Sequence, residues 1–470
     1  MKRYTTIALA VALVAAGCKD NPVSNPIDAP TVDALSGGLT RISLQLLATG
    51  VTAQDRAAFN GNGSLILPAI YARDVYRIDA SEPRYVLETL GGNPDPGSFA
   101  GGSGFTDYYV AIRAANTILL SLQNPVAGQF SAEEISATKG FFRTMKALDY
   151  YRLIELRDTV GIPIQTDDPN EVTDIRCKTA VLSFIAALLD SANTDFTAAG
   201  AGTVLPFTLP RGFSAFGRDY NRVSNLILFN RGLKGKVDFY RGLDRTSPQP
   251  ALFQTAINEL TQALGGAAPG AVPASQFGVG AYYNFVPGGS ENFANPRADS
   301  KIGLNPLVVD SVQIGDARRS KIVSRTTLSG NGLSTSTTFS GAVPTAANQA
   351  LPIAILRDEE LVLLRAQAYI EAGQLAAATA DINSVRTSNG LPPYAVFLDK
   401  TSAINAVLYE KRFSLLFEGP QRLVDLRAYG RLNGTFFRRE LPTDPFNAAM
   451  PLPRGELNAR NLTTNPACTA

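Results

Sequence analysis

The sequence predicts a mainly α-helical fold: a tetratricopeptide-like helical-repeat scaffold with long irregular loops and a few short strands. Three observations carry that expectation. Apolar residues recur at three- and four-residue spacing over several long segments. Two such segments are joined by a tight turn that contains glycine. Stretches rich in Gly, Ala and Pro or in Ser, Thr and Gly interrupt the helical pattern. The chain has 470 residues, 45% hydrophobic and 18% charged, which is long and apolar enough for a substantial core and too apolar for disorder.

The elements follow in order. Thr106 to Leu122 is a helix with Tyr109, Ile112, Leu119 and Leu120 on its apolar face. Ser131 to Leu156 opens on a capping box, with Ser131 at the N-cap and Glu134 three residues on, and stops before Gly161-Ile162-Pro163. Ile175 to Phe196 is a helix with Leu182, Ile185, Leu188 and Leu189 inside, and Asn221 to Tyr240 and Leu252 to Leu264 follow as a pair. Ile353 to Arg386 is the clearest helix pair. Leu361, Leu364 and Ala368 line its first helix, Glu371-Ala372-Gly373-Gln374 makes the turn, and Leu375, Ala378, Ile382 and Val385 line the second. Gly265 to Gly280 reads as loop, and Thr326 to Asn348 as a long loop or hairpin.

Composition excludes much chemistry. There is no His, so Ser-His-Asp and Cys-His catalysis, the HExxH zinc site and imidazole switching are all absent. There is no Trp, so 16 Tyr and 24 Phe must supply any aromatic platform. The net charge of +2 carries no basic excess, and no nucleic-acid partner is expected.

The N-terminus sets the compartment. Lys2 and Arg3 precede a short apolar run, Ile7 to Ala16, which ends in Ala15-Ala16-Gly17-Cys18. That pattern reads as a lipoprotein signal peptide over 1-17 with Cys18 as the lipidated residue. Residues 18-36, with Pro22, Pro26 and Pro30, read as a tether, and 37-470 as a single domain with a loop insert around 265-350. No later stretch reaches the roughly 18 apolar residues that a membrane span requires. Cys177 and Cys468 could pair outside the cytoplasm, and spacing alone leaves that open.

Glu410, Arg412, Glu418, Arg422, Asp425 and Arg427 read as a partly buried ion-pair network rather than an acid/base pair, because arginines accompany the acids. Arg357-Asp358-Glu359-Glu360 reads as a structural helix start. Asp167, Asp168, Glu171 and Asp174 are rich in oxygen, but their spacing is not that of an EF-hand; no metal, cofactor or catalytic residue is assigned. A sugar needs aromatic faces with hydrogen-bonding neighbours. Two segments offer them. One holds Tyr71, Arg73, Asp74, Tyr76, Tyr85, Phe99 and Phe105. The other holds Tyr282, Tyr283, Asn284, Phe285, Asn292, Phe293, Asn295 and Arg297. Replacing Tyr282 and Tyr283 by Ala is expected to weaken binding without unfolding the protein.

Five blocks in the chain resemble the SusD/RagB family of outer-membrane nutrient-binding lipoproteins. Leu356 to Tyr369 resembles the family's R-x-x-E-x-L-L-x-x-A-E-A helix, and Asp381 to Arg386 its L-N-x-V-R helix end. Tyr409 to Arg412, Phe417-Glu418-Gly419 and Asp425-Leu426-Arg427 are similar to its E-R-R-x-E-L-x-F-E-G-x-R-x-x-D-L-R signature. Pro451-Leu452-Pro453 through Asn465-Pro466 resembles its ending, and Tyr108 to Asn116 its Y-x-x-I-x-x-A-N helix. The blocks depart from the pattern at Pro420 and Val424. The resemblance implies a non-catalytic, lipid-anchored protein on the outer face of the outer membrane. It would bind a nutrient, with an oligosaccharide expected, and cap a SusC-like TonB-dependent barrel transporter. Two other readings stand beside it: a surface glycoside hydrolase with paired carboxylates, and a repeat scaffold for protein partners only.

Overall fold

The computed structural model describes residues 38–61, 63–102, 104–166, 168, 171–288 and 293–468. Cys18, the signal segment and the tether lie outside the described residues, as do Asp167, Pro169, Asn170 and Asn292.

Among the described residues, nine helices form the scaffold: α1 (Arg41–Asn60), α2 (Thr106–Ser121), α3 (Ala132–Arg157), α4 (Lys178–Ala199), α5 (Val223–Gly242), α6 (Leu252–Ala263), α7 (Asp358–Glu371), α8 (Leu375–Ser388) and α9 (Lys400–Ser414). Each packs on the next along the chain, from α1 on α2 through to α8 on α9, and α7 also meets α9. That serial stacking is what a helical-repeat scaffold requires, since each helix buries its apolar stripe against its neighbours. Short helices α10 (Gln421–Ala428) and α11 (Arg454–Ala459) close the C-terminal part.

The local signals explain the helix ends. The Ser131 hydroxyl accepts from the Glu134 amide, and the Glu134 side chain returns to the Ser131 amide, so both halves of the capping box form. Thr40 and Ser43 make the same box at α1. Gly373, at φ +75°, turns the chain between α7 and α8, where a β-carbon would be strained.

Two helix starts differ from the sequence reading. Ile175–Arg176 is a strand, and α4 begins only at Lys178. Ile353–Arg357 is also a strand, buried at every position. A short apolar run buried on both faces carries no period by which strand and helix can be told apart.

Eight short strands among the described residues pair into four antiparallel ribbons. They are β1 (Val75–Arg77) with β5 (Ile302–Leu304), β2 (Ile162–Pro163) with β3 (Ile175–Arg176), β4 (Gly280–Tyr283) with β8 (Ile353–Arg357), and the hairpin β6 (Ile322–Gly330) with β7 (Leu333–Phe339). The hairpin turns through Asn331 and Gly332, both at positive φ, as a tight two-residue hairpin turn requires. Tyr282 and Tyr283 therefore lie on a strand and not on a loop. The β4–β8 register runs from Gly280 opposite Arg357 to Tyr283 opposite Ile353, with an irregularity between Ala281 and Tyr282.

Helix α7 is buried almost all round, so its charges need partners. Arg365 holds Asp381 by two hydrogen bonds of 2.8 and 2.9 Å, with both side chains fully enclosed. Arg218 holds Asp358 at 2.6 and 2.9 Å, Lys236 holds Glu360 at 2.9 Å, and Arg357 pairs with Glu359. The charged helix start is thus structural.

Asp55 of α1 and Asp149 of α3 form a carboxyl pair in the core. No hydrogen-bond partner reaches the Asp149 oxygens among the described residues, and Arg152 is the cation that acts on both carboxyls. Burial raises both carboxyls, and the neighbouring carboxyl pushes Asp149 further, well above its ordinary range. A folded-state value raised in this way gives stability that is complete below the unfolded value, near pH 4, and is lost as pH rises through the folded one. Asp149→Asn removes the titration at nearly constant volume. The D149N variant is expected to gain melting temperature relative to the parent chain as pH goes from 5 to 8. A difference constant across that range would refute the assignment.

Candidate ligand-binding groove

Phe105 precedes α2, and Tyr109 follows one turn inside it. Their rings lie 4.8 Å apart at 52°. Tyr109 meets Tyr150 of α3 edge-on at 6.3 Å, and Tyr150 meets Phe184 of α4 edge-on at 5.3 Å. Four rings from three helices thus form a continuous aromatic ladder.

Two depressions open over the ladder. One of about 210 Å³ is lined by Phe105, Thr106, Tyr109, Pro163, Gln165 and Glu456, among others. The other, of about 480 Å³, has Phe184 in its wall with Ile164, Asp174 and Arg176. They share Glu171, Val172 and Thr173, so one segment of the loop between β2 and β3 borders both.

Hydrogen bonds hold the walls. The Tyr109 hydroxyl donates to the Pro163 carbonyl at 2.6 Å, which pins β2 against the ring. Burial pushes the Tyr109 phenol well above its ordinary value, so it stays a donor. The Gln165 amide donates to the Tyr150 hydroxyl at 3.0 Å, and the Thr166 hydroxyl donates to Glu171 at 2.5 Å. Arg460 donates to Glu456 through two nitrogens at 2.7 and 3.0 Å. Arg157 sits 5.0 Å from the Phe105 ring centroid and donates to the Gly101 carbonyl at 2.9 Å. Burial lowers that guanidinium to about 10. The side-chain carbonyl of Gln165 is buried and has no partner among the described residues.

A disulfide ties the groove to the C-terminus. Cys177, at the start of α4, bonds Cys468 with 4.9 Å between their Cα atoms, across 291 residues of chain. Gly161 lies under it at φ +78°, where a β-carbon would come within 2.4 Å of the Arg176 carbonyl oxygen. No side chain fits there.

Phe105 is the residue from the first predicted segment that lines the groove. Tyr71, Tyr76 and Tyr85 are buried; Tyr76 donates to Glu440 at 2.8 Å, and Tyr85 lies under Arg77 at 4.0 Å. Arg73 and Asp74 are buried in ion pairs with Asp444 and Arg412.

The second segment also turns largely inward. Tyr283 stacks on Phe59 at 4.4 Å and donates to Asp55 at 3.1 Å. Phe285 is buried, Asn295 donates to the Leu351 carbonyl at 2.8 Å, and Arg297 to that of Pro352 at 3.1 Å. Truncating Tyr283 would therefore open the core, contrary to the expectation that the protein tolerates it. Tyr282, Asn284 and Phe293 stay half-buried. Tyr282 lies on Phe216 at 4.2 Å, the Asn284 carbonyl accepts from Arg56 at 3.0 Å, and Phe293 lies 5.3 Å from the Arg56 guanidinium.

Sequence reasoning did not select Tyr109, Gln165, Thr173, Phe184, Glu456 or Arg460. The available signal was the pair Cys177 and Cys468, which brings the C-terminal segment beside residues 161–177 once the bond is assumed.

Comparisons with known proteins agree with this architecture. Residues 320–459 match the sequence model of the SusD family. A search of curated protein sequences finds no significant match. A SusD superfamily protein from Bacteroides fragilis superposes with a TM-score of 0.67 at 15% identity, covering 92% of this chain and 100% of that one. A SusD homolog from Bacteroides thetaiotaomicron gives 0.66 at 15% identity, over 93% and 99%. A laminarin-binding SusD-like protein gives 0.63 at 18% identity, over 89% and 98%. The class is thus the SusD-like helical-repeat fold. The resemblance to the SusD/RagB family read from the sequence holds at both levels: the family pattern in residues 320–459 and the fold across the described body.

Proposed function

We propose that the protein is a lipid-anchored outer-membrane protein facing the cell exterior. It binds an oligosaccharide in the groove above the Phe105–Tyr109–Tyr150–Phe184 ladder and delivers it to a SusC-like TonB-dependent barrel transporter. The observation that carries this reading is the ladder itself. Its outer rings line a groove whose rim alternates apolar surface with Gln165, Glu171, Thr173, Asp174 and Arg460. Sugar rings place C–H faces on aromatic carbon and hydroxyls against such polar groups. The unpartnered Gln165 carbonyl suits a ligand hydroxyl. A fold shared with a laminarin-binding protein supports the substrate class.

The anchor falls on Cys18, and the single domain on 37–470. No helix among the described residues is long and apolar enough to cross a membrane, so attachment through lipid fits the fold. The role is binding and not hydrolysis. Glu456 is paired with Arg460 and Glu171 accepts from Thr166, which leaves Asp174 as the one acid of the lining without such a partner among the described residues, and the Asp55–Asp149 pair lines neither depression.

Calorimetric titration against neutral oligosaccharides, laminarin fragments included, tests the site. Gln165→Ala and Glu171→Ala are each expected to weaken binding about fivefold, the worth of roughly 1 kcal/mol. Ile314→Ser, at a 96% exposed position outside the groove, should change nothing. Unchanged affinity in both groove variants would sink the site. A mild-detergent pull-down from the native outer membrane should recover a large barrel protein in near-equal amount; recovery of the lipoprotein alone would argue for a free-standing binder.

A further inference from the structure

A second pocket of about 290 Å³ lies between α9, α10 and the segment that follows α10. Asn405, Leu408, Tyr409, Arg412 and Phe413 of α9 face it together, as helical spacing dictates. Leu307 and Ser311 come from the short helix Pro306–Ser311; Arg422 and Leu426 come from α10. Arg431, Phe436 and Phe437 complete the wall. Three arginines line the pocket, and no acid does.

Charge bookkeeping around this pocket does not balance. Arg412 is satisfied by Asp74 at 3.0 Å, Ser311 at 2.8 Å and two backbone carbonyls. Among the described residues, Arg422 ion-pairs only with the same Asp74, at 3.3 Å, and its Nε makes no hydrogen bond. The nearby Asp425 is taken by Lys411 at 2.8 Å, by Tyr240 and by Gln367. Arg431 pairs with no carboxylate among the described residues and lies 5.3 Å from the centroid of the Phe436 ring. Burial, with Arg412 alongside, lowers Arg422 to about 9, and burial also lowers Arg431. Two of the three guanidinium groups thus share one carboxylate, Asp74, and the third pairs with none among the described residues.

Beside Ser311, Asn405 and Tyr409, the rest of the wall is apolar: Leu307, Leu408, Leu426, Phe413, Phe436 and Phe437. Phe436 is 53% exposed and leaves part of its ring open to the pocket beside Arg431. The volume sits at the lower end of small-molecule pockets, about 300–1,000 Å³.

We propose that this pocket binds a small organic carboxylate with a planar apolar body, its carboxylate between Arg422 and Arg431 and its ring against Phe436 and Phe437. A guanidinium fork matches a carboxylate's two oxygens, and the aromatic wall demands a body that inorganic anions lack. This site shares no lining residue with the groove and does not depend on that reading.

Phenylacetate, benzyl alcohol and inorganic phosphate, titrated into the full chain, test the proposal. Phenylacetate should bind, and the neutral and purely inorganic probes should bind at least tenfold more weakly. Arg431→Ala should weaken phenylacetate at least tenfold, and Phe436→Ala severalfold. Arg431 makes no ion pair and Phe436 is exposed, so both variants should melt like the parent and keep oligosaccharide affinity. Benzyl alcohol or phosphate binding as tightly as phenylacetate would overturn the proposal. Undiminished phenylacetate binding in both variants would do the same.

Discussion

Glu410→Ala is expected to destabilise the fold by about 3–5 kcal/mol, a large part of the roughly 5–15 kcal/mol that holds a typical domain together. Glu410 is fully buried on α9. One carboxylate oxygen accepts from Arg318 at 2.6 Å and the other from Arg386 at 3.0 Å. Arg318 is held besides by Asp316, and Arg386 by the Gln313 side chain and the Pro392 carbonyl. The cluster therefore fastens α9 to the end of α8 and to the turn that leads into the β6–β7 hairpin. Burial raises the Glu410 carboxyl above its ordinary value despite the two arginines. Desolvation thus offsets much of the attraction, and the intact cluster adds little net stability. Removing the acid exposes the cost, because two buried guanidinium groups lose their shared anion. Urea unfolding would measure it, with Glu410→Gln expected to lose less because it keeps an acceptor. A parent-like midpoint for the alanine variant would show that the cluster does not hold these elements together.

Replacing Cys177 and Cys468 together by Ser is expected to cost about 2–5 kcal/mol and to weaken oligosaccharide binding as well. The bond closes a very long loop, so its loss frees the unfolded chain, and it is the covalent tie between the groove and the C-terminal segment. Glu456 and Arg460 stand on that segment and form one wall. Thermal melting of the double variant and titration of the same sample would separate the two effects. A lower melting temperature with full affinity would mean that α11 is held in place by packing alone, through the buried Leu457.

The sequence alone determined the helices from α2 to α8, while α1 emerged only in the structure. The three-and-four spacing of Leu361, Leu364 and Ala368, the Gly373 turn and the Ser131–Glu134 box are local signals, and each formed as read. That the charges around Glu410 are buried in ion pairs was also legible, because a charge inside an apolar helix must find a partner; the partners were not, since Glu410 pairs with Arg318 and Arg386, and Arg412 with Asp74, all from distant segments. Only the tertiary structure decided the rest. Ile353–Arg357 became a strand because Gly280–Tyr283 lay beside it to pair, a contact between segments more than seventy residues apart. The same pairing carried Tyr283 into the core against Phe59. The groove joins α2, α4, the β2–β3 loop and α11, elements spread from Phe105 to Arg460. Aromatic content marks residues able to stack on a sugar or on each other. Which of the two they do depends on the neighbours that long-range packing brings, and no spacing along the chain encodes those.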